Sequence, residues 1–483
     1  MSKTLRVVVL TVTLIVALGT VGAAATTWPR ARLATLPVGA HGLAQGYLPV
    51  LACASAGNCV AAGDYLDSLG NSQAFVLNEV HGVWRAPLTI AAPTGAASTP
   101  GMTPASGACA LAGNCVVVGS YQDRSGNAQA FVASERNGVW SRATEVKLPA
   151  NAITVGQSAQ LRAVACSPAA TCSAVGSYLA HGSPSPQTEG VTLTSTGGTW
   201  SPGSEVKLPA NAGPTPYVTL SELACAATAP GDCSATGSYL DTNNVTHGLI
   251  LNEVHGVWHA GIELVTPANA NAIPLVQLSS LACPAAGDCS AIGTYESTAG
   301  HLNGLTVNEV HGVWQAARTL ALPVASTVNP LTFLYGFTAV SCSSVGNCAA
   351  GGQYRDASGR YQGFLVNEVH GVWRGASELR LPAGATTTGK NGGVVALSCY
   401  ATGDCAAGAA YLDAAGHYQA LLVTSHHGRW GLGTRVHLPG TASSVGVDGG
   451  VYSLICSSAT QCTAAGSYLA SATVYQGFTL STP

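Results

Sequence analysis

Residues 341–374 read SCSSVGNCAAGGQYRDASGRYQGFLVNEVHGVWR. Cys342 and Cys348 bracket a short turn, Tyr354 follows the second Cys by six residues, and Trp373 stands near the end. The apolar runs are short, and the breaks between them are rich in Gly, Asn, Asp and Ser, the residues that turns require. No segment carries a 3.6-residue apolar period, so the stretch predicts four short strands and no helix.

The same frame occurs eight times. The close cysteine pairs are Cys53/Cys59, Cys109/Cys115, Cys166/Cys172, Cys225/Cys233, Cys283/Cys289, Cys342/Cys348, Cys399/Cys405 and Cys456/Cys462, with first members 56 to 59 residues apart. A Tyr follows each second Cys by six residues, from Tyr65 to Tyr468, and all eight tryptophans share the period. Self-similarity at this length signals a stacked or radial array of supersecondary units. A radially repeated four-stranded meander is a β-propeller blade, and eight copies fall within the usual range of about 4–8.

A linear solenoid is the rival, and the chain ends decide against it. The last unit stops at YQGFTLSTP, after its third strand, while TTWPRARLATLP at 26–37 matches a Trp strand such as VWSRATEVKLP at 139–149. An N-terminal strand that completes the last blade closes the ring and removes the edges a solenoid would have to cap. The expected fold is therefore all-β: an eight-bladed propeller of four-stranded antiparallel blades, forming one domain over residues 26–483.

Residues 1–25 begin with Lys3 and Arg6, continue through VVVLTVTLIVALG and end in small residues, the grammar of a secretory signal peptide. The alternative is an uncleaved membrane anchor, since Val7 to Ala24 gives 18 mostly apolar residues, the lower limit for a span. An even count of 16 Cys in an exported chain points to disulfides.

Charged residues make up 8% of the chain and hydrophobic ones 47%, which excludes disorder. Net charge is −3, and −5 without Lys3 and Arg6, so no basic face exists for nucleic acid or anionic membranes.

The chain resembles secreted bacterial β-propeller proteins built from repeats of the form SC-x-G-N-C-x-A-x-G-x-Y…Q-A-F…G-x-W, over roughly residues 26–483. The resemblance implies the propeller fold and carries no activity. The sialidase-type S-x-D-x-G-x-T-W box and a G-H…W-D pairing are missing from the sequence.

Each Cys pair is expected to staple one hairpin, with no bridge between blades, because a radial array holds equivalent hairpins apart. NEVHGVW at 78–84, 252–258, 308–314 and 367–373 places His81, His255, His311 and His370 at one tight-turn position, where other units carry Asn137, Gly197 and His427. Segments such as DSLGN at 67–71 predict Asx turns rather than calcium loops, since Asp is usually alone; Asp241, Asn243 and Asn244 of blade 4 come nearest to a calcium set. The amide or His eight residues after Tyr, Gln73 for example, is expected to bond the turn or a neighbouring blade.

The Cys hairpins and His-Gly turns should share one face, and the Asp turns and variable connectors the other, where binding is expected. No catalytic set, metal site or cofactor motif is found: Glu189, Glu222, Asp241, Glu296 and Asp448 scatter over different blades. Arg162 and Glu222, on innermost strands of adjacent blades, are expected to form an ion pair inside the ring or part of a ligand site. Phe333, Tyr335 and Phe337 cluster in LTFLYGF, in the connector between blades 5 and 6, and are the favoured binding aromatics. The expected function is an exported, non-catalytic binding or structural propeller of the cell exterior. It would be monomeric, with an extracellular protein or glycan as partner; the alternative is a carbohydrate-directed lectin, glycoside hydrolase or lyase.

Overall fold

Blade 3 shows the plan. Gln160–Cys166, Thr171–Ala180, Gln187–Thr196 and Thr199–Trp200 pair antiparallel in that order, and Ser204–Glu205 continues the outer strand along the third. The computed structural model describes residues 28–482 apart from 183–184, 324–336, 357, 387–391, 441, 443–447 and 472, and contains eight such sheets and no helix among the described residues. No helix there is long and apolar enough to cross a membrane.

Buried residues form eight clusters, one at each interface between consecutive blades, rather than one central core. Each interface takes the inward face of one sheet and the facing side of the next, so a strand buried on both faces reads as a continuous apolar run, as CVAAG does at 59–63. The repeated Tyr lies in these slabs; Tyr178, Tyr239, Tyr295 and Tyr468 are fully buried. Tyr239 Oη lies 2.8 Å from Asn211 Oδ1 and 3.0 Å from Glu263 Oε2 of the outer strand, two acceptors for its one proton.

Ring closure follows the expected route. Arg32–Ala34 pairs with the last strand of the chain in the register Arg32↔Thr479, Leu33↔Phe478 and Ala34↔Gly477. Trp28 packs against the cluster shared by blades 7 and 8, and the Ala31 N–H donates to His437 O, the backbone bond that the outer strands of blades 2 to 7 also make to the preceding connector. The blade 8–blade 1 interface has its own core, with Ala34, Leu48, Phe75 and Ala465 buried together.

All sixteen cysteines pair within their own hairpins, the two of each pair 3.9–4.1 Å apart at Cα. The His-Gly turns require left-handed backbone: His81 and Gly82 have φ of 50° and 77°, the two-residue hairpin geometry that tolerates few other residues. Gly82 N–H donates to Gly57 O at 2.9 Å, so each Cys hairpin and His-Gly turn lie on the same face.

The innermost strands bulge at the fourth residue before the first Cys in seven blades, at Arg162 and Ser221 for instance. Opposite the bulge the second strand carries Gly: a Cβ on Gly176 would stand 2.0 Å from Gln160 O. Close backbone approach, not turn formation, selects glycine there.

Candidate ligand site at the blade 8–blade 1 seam

The blades are joined by a polar relay. Asn78 of blade 1 donates from Nδ2 to Glu135 of blade 2 and accepts from Trp140 Nε1 on Oδ1 at 3.1 Å. Asn308 repeats this with Glu368 and Trp373. These Glu residues are buried, and desolvation pushes the carboxyls of Glu135 and Glu309 up while the Asn bonds hold them down. The Asn of NEVHGVW thus ties each blade that carries the motif to the next. Turn chemistry accounts for the His-Gly part of that motif but not for its Asn, whose recurrence six residues before Trp is the sequence signal of the relay.

In two of the blades that lack the Asn, the Trp half of the relay is lost. Blade 2 has Ser134 and blade 3 has Thr194 at this position, and the indole N–H groups of the following blades, Trp200 and Trp258, are buried with no hydrogen-bond partner among the described residues. At ring closure Ser481 substitutes: it accepts from Trp84 Nε1 at 3.4 Å and donates to Glu79 Oε1 at 2.6 Å.

Above Ser481 the repeat opens. Between blades 4 and 5, a groove of 300 Å³ runs between the Asp232–Ser234 edge, the Cys283–Gly287 turn and the His311-Gly312 turn. Outer-strand grooves of 420 and 400 Å³ lie between blades 5 and 6 and between blades 3 and 4, and at the seam both kinds of groove join in one cavity of 940 Å³. Blade 8 receives its outer strand from the other end of the chain, so no His-Gly turn joins its third and fourth strands over the opening. Pro29, Arg30 and Arg32 line one wall, Gln461 and Thr463 another, and Trp84, His81 and Glu79 the blade 1 side. Arg30, Arg32 and His81 are exposed, whereas Glu79 is buried, its carboxyl raised by desolvation and restrained by bonds from Ser481 and Thr463. Glu79 is the lone carboxylate among the lining residues.

The residues singled out in the sequence fall elsewhere. Phe333 and Tyr335 lie outside the described residues. Phe337 is 3% exposed, packed edge-on against Phe364 with centroids 5.0 Å apart, over a Gly304 whose Cβ would come within 2.0 Å of its ring. It belongs to the core between blades 5 and 6 rather than to an exposed aromatic cluster.

The expected ion pair between Arg162 and Glu222 does not form: neither side chain has an ion-pair or hydrogen-bond partner among the described residues. The bulge explains it. Arg162 occupies the bulged position of Ser221, one residue before the position of Glu222, from which Ser106 and Ser280 reach the following blade. Arg162 is exposed. Glu222 keeps some contact with solvent yet is walled by protein, and poor solvation of its charge pushes the carboxyl up to about 8.

The Asp turns behave as read. Asp67 Oδ1 accepts from Leu69 N and Asn71 N, both at 2.9 Å, and Gln73 Nε2 donates to Oδ2, so the amide after Tyr locks the turn. In blade 4, Asp241 takes Asn243 N, Val245 N and His247 Nε2, and His247 Nδ1 is 2.8 Å from Glu263, which leaves the nearest calcium candidate committed to its own loop.

No protein-family model matches the chain, and no characterised relative matches it in sequence. Among solved structures it is similar to a fucose-specific lectin from Aleuria aurantia, at 12% identity and a TM-score of 0.33 over 70% of this chain and 96% of that one. It is also similar to an ulvan polysaccharide lyase, at 10% and 0.43 over 76% and 90%, and to a Dyadobacter fermentans protein of unknown function, at 9% and 0.36 over 65% and 92%. At these identities and scores the similarities concern the fold alone.

Proposed function

We propose that the protein is an exported, monomeric, non-catalytic binding propeller of the cell exterior, and that it takes its ligand in the seam cavity. The observation that carries this is that inter-blade grooves of 300–420 Å³, separate at other interfaces, run together at the seam into one cavity of 940 Å³, within the size of pockets that hold small ligands, about 300–1,000 Å³. Eight disulfides support an oxidising compartment, in line with the N-terminal leader.

The lining argues for binding rather than hydrolysis. Glycoside hydrolysis needs two carboxyl groups across one bond, and Glu79 stands alone here, bonded to Ser481 and Thr463. Arg30, Arg32, His81, Gln461 and the edge of Trp84 suit a polyhydroxylated ligand that carries carboxylate or sulfate groups, an acidic glycan. An array of neutral and acidic glycans probed with the secreted protein tests this. Binding to acidic glycans that falls at least tenfold in Arg30→Ala and Gln461→Ala is expected. Binding that is unchanged in both variants, or no glycan binding at all, would refute the assignment.

A further inference from the structure

We propose that Asp404, His426 and His427 form a divalent transition-metal site of the zinc type on the Cys-hairpin face of blade 7. Asp404 opens the strand Asp404–Leu412, and His426 ends the neighbouring strand Tyr418–His426. Adjacent residues of a strand point to opposite faces. His427 escapes that alternation because the turn holds it at φ 49°, and its ring comes to lie beside that of His426, centroids 4.0 Å apart and planes at 67°. His427 N–H donates to Asp404 Oδ1 at 2.7 Å, and His426 Nδ1 is 3.3 Å from the same oxygen. One ligand atom from each of the three residues lies within 4.8 Å of the others.

A tetrahedral ion with bonds of about 2.0–2.2 Å holds its ligand atoms roughly 3.3–3.5 Å apart, so a small closure is needed. The His426 side chain is 58% exposed and free to make it. Two imidazoles and one carboxylate are ligands that suit zinc, and three protein ligands leave a coordination position open. Arg429 lies directly across the hairpin from His426 and opposes a cation, while Asp404 offsets it.

The repeat supplies internal controls. Blades 4 and 5 have the same aspartate-to-turn bond, His255 N–H to Asp232 at 2.6 Å and His311 N–H to Asp288 at 3.1 Å, but carry Val254 and Val310 where blade 7 has His426. They offer two ligands of three. Turn formation therefore explains the Asp and the second His, and it leaves the first His of blade 7 without a structural reason.

Calorimetric titration of ZnCl2 into the tag-free protein, stripped of metal, tests the site. One equivalent should bind. His426→Val, which installs the residue that other blades already tolerate, should weaken binding at least as much as the 10–100-fold that loss of an outer-shell partner costs. Val254→His should raise the stoichiometry to two by completing the blade 4 set. No saturable binding, unchanged affinity in His426→Val, or a stoichiometry of one in Val254→His would overturn the proposal.

Discussion

Asn252 Oδ1 accepts the indole N–H of Trp314 at 3.0 Å across the interface between blades 4 and 5, and its Nδ2 donates to Glu309 Oε1 at 2.7 Å. One amide thus satisfies a donor and an acceptor of the next blade at once. Because Glu309 is buried and Trp314 half-buried, the relay matters more for what its loss would leave bare than for the energy of its two bonds.

Asn252→Ala leaves Glu309 and the Trp314 N–H without these partners. A loss of about 1–3 kcal/mol per stranded group is expected. Chemical denaturation checks it, with Asn243→Ala, in the exposed turn of the same blade, as the comparison expected to cost far less.

Thr194→Asn is expected to stabilise. Thr194 Oγ1 already donates to Glu253 Oε1 at 2.6 Å, but the Trp258 N–H has no partner among the described residues. An Asn there can keep the first bond and add the second, a gain of about 1 kcal/mol in the same denaturation assay. Unchanged or lowered stability would show that blade 3 departs from the common geometry.

Glu222 makes stability depend on pH. Its carboxyl is raised from 4.5 to about 8 by burial, so the folded state holds a proton that the unfolded chain releases above about 4.5. Its contribution is fully present below that pH and is lost progressively up to about pH 8. Glu222→Gln should remove this part of the decline, so the variant should gain on the parent between pH 5 and 8. Parallel stability profiles over that range would contradict the assignment.

Much of this fold can be read from one-dimensional spacing. Cysteines six apart, a Tyr at a fixed offset and a Trp strand per unit specify hairpins, and the displaced Trp28 strand specifies closure. What was not legible depends on three-dimensional offsets. A bulge at Arg162 re-aims the two residues that sequence distance brought together, and Phe337 is buried because Gly304, on the blade beside it, makes room. The seam cavity arises from a turn that blade 8 does not have, and residues from opposite ends of the chain line it. No local motif announces such a site. Ser481, which stands where other blades carry the relay Asn and performs its role, hides the relay at the seam.

The account rests on a ring closed by the N-terminal strand, because that closure creates the seam. Ala34 and Gly477 are direct partners across it, and a Cβ on Gly477 would lie 3.1 Å from that of Ala34, near the range of about 3.5–4.5 Å at which disulfides form. The double variant Ala34→Cys/Gly477→Cys should oxidise spontaneously on secretion. Non-reducing peptide mapping should then find the new bridge beside the eight native ones, and the protein should be more stable by up to about 5 kcal/mol, since so long a loop is closed. Two free thiols at positions 34 and 477 in the folded, secreted variant would contradict the closed ring and the seam site with it.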